Sequence, residues 1–422
     1  MACLAPTGSH VLLRCLSQLG IIPNMDLQDR LKQEFGSTVE VSSAGGDDAV
    51  DGVRPQVVAA PLDEAAAQAL AGWCGREQIA IVARGGGSKI GWGAPPSRCD
   101  MILSSRHLNR VVDYDVGNAT VTAQSGVVLA GLDRQMRVQG QYLPLDFETY
   151  PGATLGGVTA TNHSGAMRLR YKTPRDLVVG MTAVLSDERL IKNGSKVVKN
   201  VSGYDLGKLF IGSYGSLGFL TSVTIRLRPV EEQTSWWQQT FTTWGQAAGM
   251  ASQILSGDFE PALLRIFTYK STFILKARFD GIAESVQNQL QQLPSSEENE
   301  NVSDSTGNAN LTIRAHMPLA NALTFAQKMQ DEGASNIQWD AALGVVLASW
   351  ENATSVKALV GKLRDHATKD GGILIVQKAP AEQKNAELVW GEKRADFALH
   401  QQLKYKFDAA GIFSPGRFWG GL

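Results

Sequence analysis

Residues 79–83 are an unbroken apolar run, IAIVA, and the chain passes straight from it into RGGGSKIGWG at residues 84–93. A buried strand that ends in three glycines cannot continue as a packed element, because nothing remains to fill a core. Glycine has no Cβ, reaches φ > 0 without strain and lets the main chain approach a ligand closely. Successive N–H groups in such a turn form a concavity that binds anions. Upstream, an apolar segment at residues 57–60 is followed by Pro61-Leu62-Asp63 and an alanine-rich stretch ending near Glu77. Strand, helix and strand in this spacing predict a βαβ unit with a parallel pair. The glycine loop then lies at the carboxyl end of a strand, where open α/β sheets place ligands.

Residues 151–165, PGATLGGVTATNHSG, are a second stretch poor in bulky apolar side chains, and they are read as a second loop with main-chain N–H groups on offer. Two such loops predict a large, extended cofactor that contains phosphate. A side chain at Gly86 or Gly157 is expected to lie in the path of that phosphate. The commoner phosphate motifs do not fit. Gly86 and Gly91 have Walker spacing, but Trp92 stands where the lysine belongs. Gly85 and Gly87 begin a dinucleotide fingerprint whose third glycine falls one residue late, at Gly91.

At 422 residues the chain is long enough for two or three domains. A hydrophobic content of 43% and a charged content of 19% describe a soluble globular protein. The formal net charge of −1 carries no electrostatic footprint for nucleic acid. Cys3, Cys15, Cys74 and Cys99 show no C-x-x-C spacing, which gives neither a disulfide framework nor a metal or cluster site and points to a reducing, cytoplasmic setting. Residues 1–24 hold a short apolar stretch, Val11-Leu12-Leu13, broken at Arg14, with no cleavage pattern before Met25; they are read as a poorly ordered extension.

Hydrophobic periodicity organises the rest. Helix is predicted at 25–35 and 128–137, and strands at 101–103, 111–114, 119–123, 178–185 and 221–227. Pro229 and Glu231-Glu232 mark a boundary. Beyond it, strands near 236–244, 262–267, 272–279, 311–315, 338, 345–350 and 373–377 alternate with helices at 283–293, 319–332 and 355–369. That pattern predicts an antiparallel sheet covered by helices on one face. Residues 294–310, PSSEENENVSDSTGNAN, are polar enough for a surface loop. From residue 390 a helix is expected, followed by GIFSPGRF.

A third glycine-spaced stretch, KVVKNVSGYDLGKLFIGSYGSLGFLT at 196–221, carries Lys199, Tyr204 and Asp205 ahead of Gly212, Gly215 and Gly218. In this order the pieces resemble the PCMH-type FAD-binding fold of the vanillyl-alcohol-oxidase family. RGGGSKIGWG resembles its pyrophosphate loop, PGATLGGVTATNHSG its second flavin loop, GSYGSLGFLT its G-S-x-G-T-L-G-x-x-T segment, and FSPGRF its closing N-P-G-R motif. The resemblance implies an α+β fold: an FAD-binding domain of two α/β subdomains at 25–230, an α/β cap domain with an antiparallel sheet at 231–380, and a segment at 381–422 returning to the flavin. It implies FAD held by Arg84, Gly85, Gly86, Gly87, Ser88, Lys89, Trp92 and Gly93 of the first loop. From the second loop it implies Pro151, Gly152, Thr154, Leu155, Gly156, Gly157, Thr161, Asn162, Ser164 and Gly165. From the later segments it implies Gly215, Gly218, Phe219, Leu220 and Ser414. Covalent members commonly carry histidine where this chain has Gly87, so a noncovalent FAD is expected.

Within the family, VVKNVSGYDLGKLFIGSYGSLG resembles the FAD-binding subunits of glycolate-oxidising dehydrogenase complexes. That implies oxidation of glycolate, or a similar 2-hydroxy acid, to glyoxylate. It also implies two partners, a related FAD-containing catalytic subunit and an iron–sulfur subunit, and a cytoplasmic complex held peripherally on the inner face of the membrane. Three departures stand out. The family's D-2-hydroxyacid dehydrogenases have Glu at the position of Tyr214, Asn at that of Ser414, and an H-x-G-D-G-N-x-H motif that supplies metal and base; here residues 341–350 read AALGVVLASW. No metal site is expected. Of the six histidines, His163 within the second loop and His316 on a cap strand are candidate bases, and Arg265 is a candidate carboxylate ligand. Two other readings are a cofactor-free regulatory subunit and a stand-alone flavin oxidase of another alcohol or sugar.

Overall fold

The computed structural model describes residues 25–147, 150–194, 205–297 and 308–422. The readings made at 1–24, with Cys3 and Cys15, at Lys199 and Tyr204, and at most of the polar segment 294–310 lie outside the described residues. After a helix at Leu27–Phe35 come β1 (Val39–Ser43), β2 (Val57–Pro61), β3 (Ile81–Arg84) and β4 (Met101–Ser104). The sheet order is β1-β2-β4-β3, with β1 antiparallel to β2 and the other pairs parallel. The expected parallel relation of β2 and β3 therefore holds in direction, but the two are not neighbours. β4, apolar and buried along its length, takes the central place between them.

The helix Glu64–Glu77 starts where Asp63 accepts the Ala66 N–H at 2.8 Å and stops at Gln78, which adopts the left-handed conformation. Its Leu70, Ala71, Trp73 and Cys74 pack with Ile81, Met101 and Leu103. On the open edge of β3 the C-terminal segment is zipped in place. Ile81 N–H donates to the Ile412 carbonyl at 2.8 Å, and Ser414 N–H to the Ile81 carbonyl at 2.7 Å.

The second layer holds β5 (Val111–Asp115), β6 (Thr120–Gln124), β7 (Gln141–Tyr142), β8 (Val178–Val184), β9 (Leu190–Gly194), β10 (Phe219–Arg226) and β11 (Arg228–Pro229). Five of them form an antiparallel sheet in the order β5-β6-β10-β8-β9, and β7 pairs with β11. One sequence expectation changes here. The second glycine stretch is not only loop: Leu155–Thr161 is a short helix, with Leu155 and Val158 buried in the core of this layer. Its glycines hide the helix from a count of apolar residues. They let the backbone lie against Ser125, whose Cβ would stand 2.6 Å from a Cβ at Gly156.

The remaining strands are β12 (Gln233–Phe241), β13 (Pro261–Tyr269), β14 (Thr272–Gly281), β15 (Leu311–His316), β16 (Asn336–Asp340), β17 (Val345–Trp350) and β18 (Ile373–Lys378). They form one antiparallel sheet in the order β12-β14-β13-β16-β17-β15-β18. Because side chains alternate along a strand, the register sorts this sheet into two faces. Ile266, Trp339, Val346 and Ala315 align across β13, β16, β17 and β15 and join the core beneath the helices Trp244–Ser256, Leu319–Asp331 and Val356–Lys369. The adjacent registers put Arg265, Asp340, Val345 and His316 in one row and Phe267, Gln338, Leu347 and Arg314 in another, on the opposite face. The helical tail is interrupted. Ala386–Trp390 and Phe397–Phe407 are separate helices, the first ended by Gly391 at φ 83°.

Candidate functional site

The carboxyl end of β3, the helix Leu155–Thr161 and the turn before β10 line a pocket that opens to solvent. Arg84, Gly85, Gly86, Gly87, Ser88 and Lys89 form one wall. Thr154, Gly156, Gly157 and Thr161 form a second, and Gly215, Gly218, Phe219 and Leu220 a third. A more open groove shares Gly85, Gly86, Ser105 and Thr154 with it and continues past Arg106 and Arg110. The glycine triplet is thus the sill between two hollows, a shape suited to a ligand with two large ends joined by a narrow waist.

The two glycine stretches touch each other. A Cβ on Gly85 would collide with the Thr154 hydroxyl, and one on Gly86 with the Gly152 carbonyl. The expectation that a Gly86 side chain blocks a phosphate path is therefore amended, since it would first drive the neighbouring loop away. The N–H groups of the two stretches also differ. At the second, Leu155 donates to the Val127 carbonyl, Gly156 to the Ser125 carbonyl and Gly157 to the Thr154 hydroxyl, so this helix start is spent on the fold. At the first, the main-chain N–H groups of Gly86, Gly87, Ser88 and Lys89 have no protein partner among the described residues. Gly86 and Ser88 are exposed and Gly87 is half-buried, so these groups are open to solvent or to a ligand, and four successive N–H groups on a pocket wall offer an anion cradle.

Other expected residues stand behind the cavity wall. Leu155 is fully buried core. Pro151 and Gly152 are exposed at the loop tip, where Gly152 backs Gly86. Asn162 is the left-handed cap of its helix, and its side-chain oxygen accepts the Arg175 N–H at 3.1 Å. Gly165 packs on Asp146, and Gly93 lies under Tyr214 and Trp390. Trp92 meets Tyr150 and His163 edge to face at 6.0 and 5.2 Å. Ser414 is buried at φ 46°, its hydroxyl turned toward Gly215.

Several residues not singled out in the sequence complete the site. Arg417 lines the cavity, donates to the Ile90 and Trp92 carbonyls at 2.6 and 2.5 Å, and keeps one buried Nη1 without a partner among the described residues. Ser125 Oγ is likewise buried, unpaired and on the wall. Lys384 bridges Asp51 at 2.9 Å and the Gly91 carbonyl, tying the C-terminal segment to the first loop. Tyr214, which the sequence did single out as a departure, stands beside them. It sits in the left-handed region, donates its N–H to the Ala160 carbonyl at 2.8 Å and packs on Trp390. Burial pushes its hydroxyl up to about 12.

The polar face of the cap sheet meets the second glycine stretch. Arg314 donates to the Ser164 carbonyl at 3.1 Å and to His316 Nε2 at 3.3 Å. Arg265 is ion-paired with Asp340 and reaches Gln338 at 3.4 Å. Arg168, from the helix Arg168–Tyr171, joins the same electrostatic group. Arg314 and Arg168 have no carboxylate partner within ion-pair distance among the described residues, so one carboxylate faces three guanidinium groups. Burial, followed by Arg314 and Arg168, lowers the His316 pKa to about 4. Burial, followed by Lys89, Arg314 and Arg265, holds His163 well below the usual histidine range, and its Nδ1 is buried without a partner. Both imidazoles are neutral at pH 7. Among the described residues no cluster of three or more His, Cys, Asp or Glu could hold a metal ion.

A family model described as FAD binding domain matches residues 55–194. Glycolate oxidase subunit GlcD of Bacillus subtilis (strain 168) is 30% identical over 222 residues, 53% of this chain and 47% of that protein. D-2-hydroxyglutarate dehydrogenase of Xanthomonas citri pv. viticola is 34% identical over 174 residues, 41% of this chain and 37% of its own. D-lactate dehydrogenase of Archaeoglobus fulgidus is 36% identical over 176 residues, 41% and 39% of the two chains. The chain thus spans less than half the length of these curated relatives. A solved structure of alkyldihydroxyacetonephosphate synthase covers 92% of this chain and 84% of its own with a TM-score of 0.68 at 18% identity, a likeness of fold. The site residues fit the cofactor that the family model names: unpaired amides suit a diphosphate, and the orphaned Arg417 Nη1 and Ser125 Oγ suit the polar atoms of the rest. Residues 55–194 thus resemble an FAD binding domain across a third of the chain, and the family match and the relatives together support FAD as the cofactor.

Proposed function

We propose that this chain is the FAD-binding subunit of a dehydrogenase complex that oxidises glycolate, or a similar 2-hydroxy acid, to the 2-oxo acid. The observation that carries the reading is the cap face, where Arg314 and Arg168 have no carboxylate within ion-pair distance among the described residues and stand beside the Arg265–Asp340 pair. An excess of buried guanidinium favours a carboxylate substrate over a neutral sugar, because arginine's planar fork matches a carboxylate bidentately. The names of the relatives, all acting on 2-hydroxy acids or belonging to a glycolate oxidase, support the same class.

FAD, when bound, supplies a two-electron acceptor that can pass electrons on singly. The chain's own residues do the rest. Gly86 to Lys89 hold the diphosphate by their N–H groups, without a covalent link because Gly87 offers no attachment atom. Arg314, fixed by the Ser164 carbonyl, orients the acid beside the second glycine stretch. The substrate's hydroxyl proton is the weak point. An efficient base has a pKa near the working pH, whereas His316 and His163 are both far below it. This supports dependence on a partner subunit that brings the base, and the glycolate oxidase subunit among the relatives supports a multi-subunit assembly, with an iron–sulfur subunit as the further partner proposed.

The test is expression with and without candidate partner subunits, followed by stopped-flow flavin reduction with glycolate. Fast reduction in the complex and slow or no reduction in the isolated chain is expected. Reduction by the isolated chain at the full rate of the complex would overturn the dependent-subunit reading.

A further inference from the structure

Lys89 is the one residue of the first glycine loop whose side chain carries charge into the cavity wall without neutralisation. The residue is 8% exposed, and no carboxylate lies within ion-pair distance among the described residues. Its nearest polar side-chain atom is Ser88 Oγ, at 3.5 Å. The ammonium instead stands 4.1 Å from the Tyr150 ring centroid and 5.9 Å from that of Trp92. Burial alone lowers its pKa to about 8, and it remains mostly protonated at pH 7. A buried cation without a counter-ion is costly, and aromatic faces return only part of that cost.

The position along the cavity says which end of the cofactor it meets. Tyr150 packs on His163 at 4.8 Å, and the next residue, Ser164, accepts Arg314 from the cap. Lys89 therefore lies at the cap end of the glycine loop, where the acid is bound under the reading above. The reacting ring must reach that end, with the main-chain N–H groups of Gly86 to Lys89 left for the diphosphate.

We propose that Lys89 is the counter-cation for the negative charge that the flavin ring gains on reduction, so that it sets how readily this flavin takes electrons. Charge near the ring is one of the means by which a protein tunes a flavin. The proposal rests on the functional reading for which end of the cavity holds the ring.

The test is the midpoint potential of the FAD-loaded protein, measured by dye-coupled dithionite titration, in the native chain, Lys89→Arg and Lys89→Met. Lys89→Met should weaken two-electron reduction at least tenfold, about 30 mV for two electrons, with Lys89→Arg close to native. An unchanged potential in a Lys89→Met protein that holds one FAD overturns the proposal. Should Lys89→Met fail to retain FAD, the native protein decides. Sulfite adds to an electron-poor flavin ring and leaves a negative charge on it, so bleaching of the visible band by millimolar sulfite is expected, and no bleaching overturns the proposal. Neither readout uses an organic substrate. A potential shift without reduction by glycolate would sink the functional reading alone, and the reverse would sink Lys89 alone.

Discussion

At the scale of single residues, the cap face carries the clearest expectations. Arg314 was missed in the sequence because an arginine on an alternating strand reads as solvent-facing; only the sheet register turns it toward the second glycine stretch. A charge-assisted hydrogen bond contributes about 1.5–3 kcal/mol, so Arg314→Gln should lower kcat/KM for glycolate in the assembled complex about 10- to 150-fold. The flavin content should not change, and steady-state kinetics beside the absorbance spectrum checks both. His316 makes a second, independent claim. Its pKa is about 4 in the fold against 6.5 for the free side chain. Between those values the unfolded chain binds one proton more than the folded one. The stability is fully present above pH 6.5 and falls as the pH drops toward 4, by about 1.4 kcal/mol per pH unit for this histidine. Urea midpoints at pH 7 and pH 5 should therefore differ less in His316→Gln than in the native protein.

At the scale of elements, the first glycine loop is held from two sides. Gly86 lies against the Gly152 carbonyl, whereas a Cβ on Gly87 would meet nothing nearer than Arg84 Cδ at 3.7 Å. Gly86→Ala should part the loops and lose FAD. Gly87→Ala should keep FAD and cost only the strain of alanine at φ 76°, about 1–2 kcal/mol. The flavin-to-protein ratio and thermal midpoint of the two variants distinguish a packing glycine from a conformational one. On the other side, Lys384 and Asp51 form a buried pair that also grips the Gly91 carbonyl. Removing one partner of such a pair costs about 3–5 kcal/mol, because the other charge is left buried. Lys384→Met should lower the thermal midpoint and weaken FAD retention together, as a denaturation series with flavin fluorescence would show.

At the scale of the whole molecule, the proposed FAD site lies where the first sheet, the second sheet and the C-terminal segment meet, so binding there should stabilise all three. Free FAD at 100 times its dissociation constant adds about 2.7 kcal/mol, seen as a thermal midpoint that rises with added FAD. The flavin should come away intact on acid or heat treatment; yellow colour retained on the denatured chain would contradict the noncovalent reading. No helix among the described residues is long and apolar enough to cross a membrane.

Local signals were enough for most elements and for one wall of the site. Alternation, caps and breakers placed most strands from Val57–Pro61 to Ile373–Lys378 and the antiparallel cap sheet, because those signals act between residues close in sequence, but not Gln141–Tyr142, Leu190–Gly194 or Arg228–Pro229. The run from Arg84 to Lys89 was legible for the same reason: three glycines after a buried strand have few other uses. The tertiary structure decided what depends on distant partners. β4 entered between β2 and β3, the Leu155–Thr161 helix formed behind its glycines, and Ile81 recruited Ile412 and Ser414 from the far end of the chain. It alone brought Arg314, Arg168 and His316 to Ser164 and left Lys89 and Arg417 Nη1 unpaired at the cavity. Charge is written in the sequence, but whether a charge is neutralised depends on burial and on neighbours hundreds of residues away, which only the folded chain fixes.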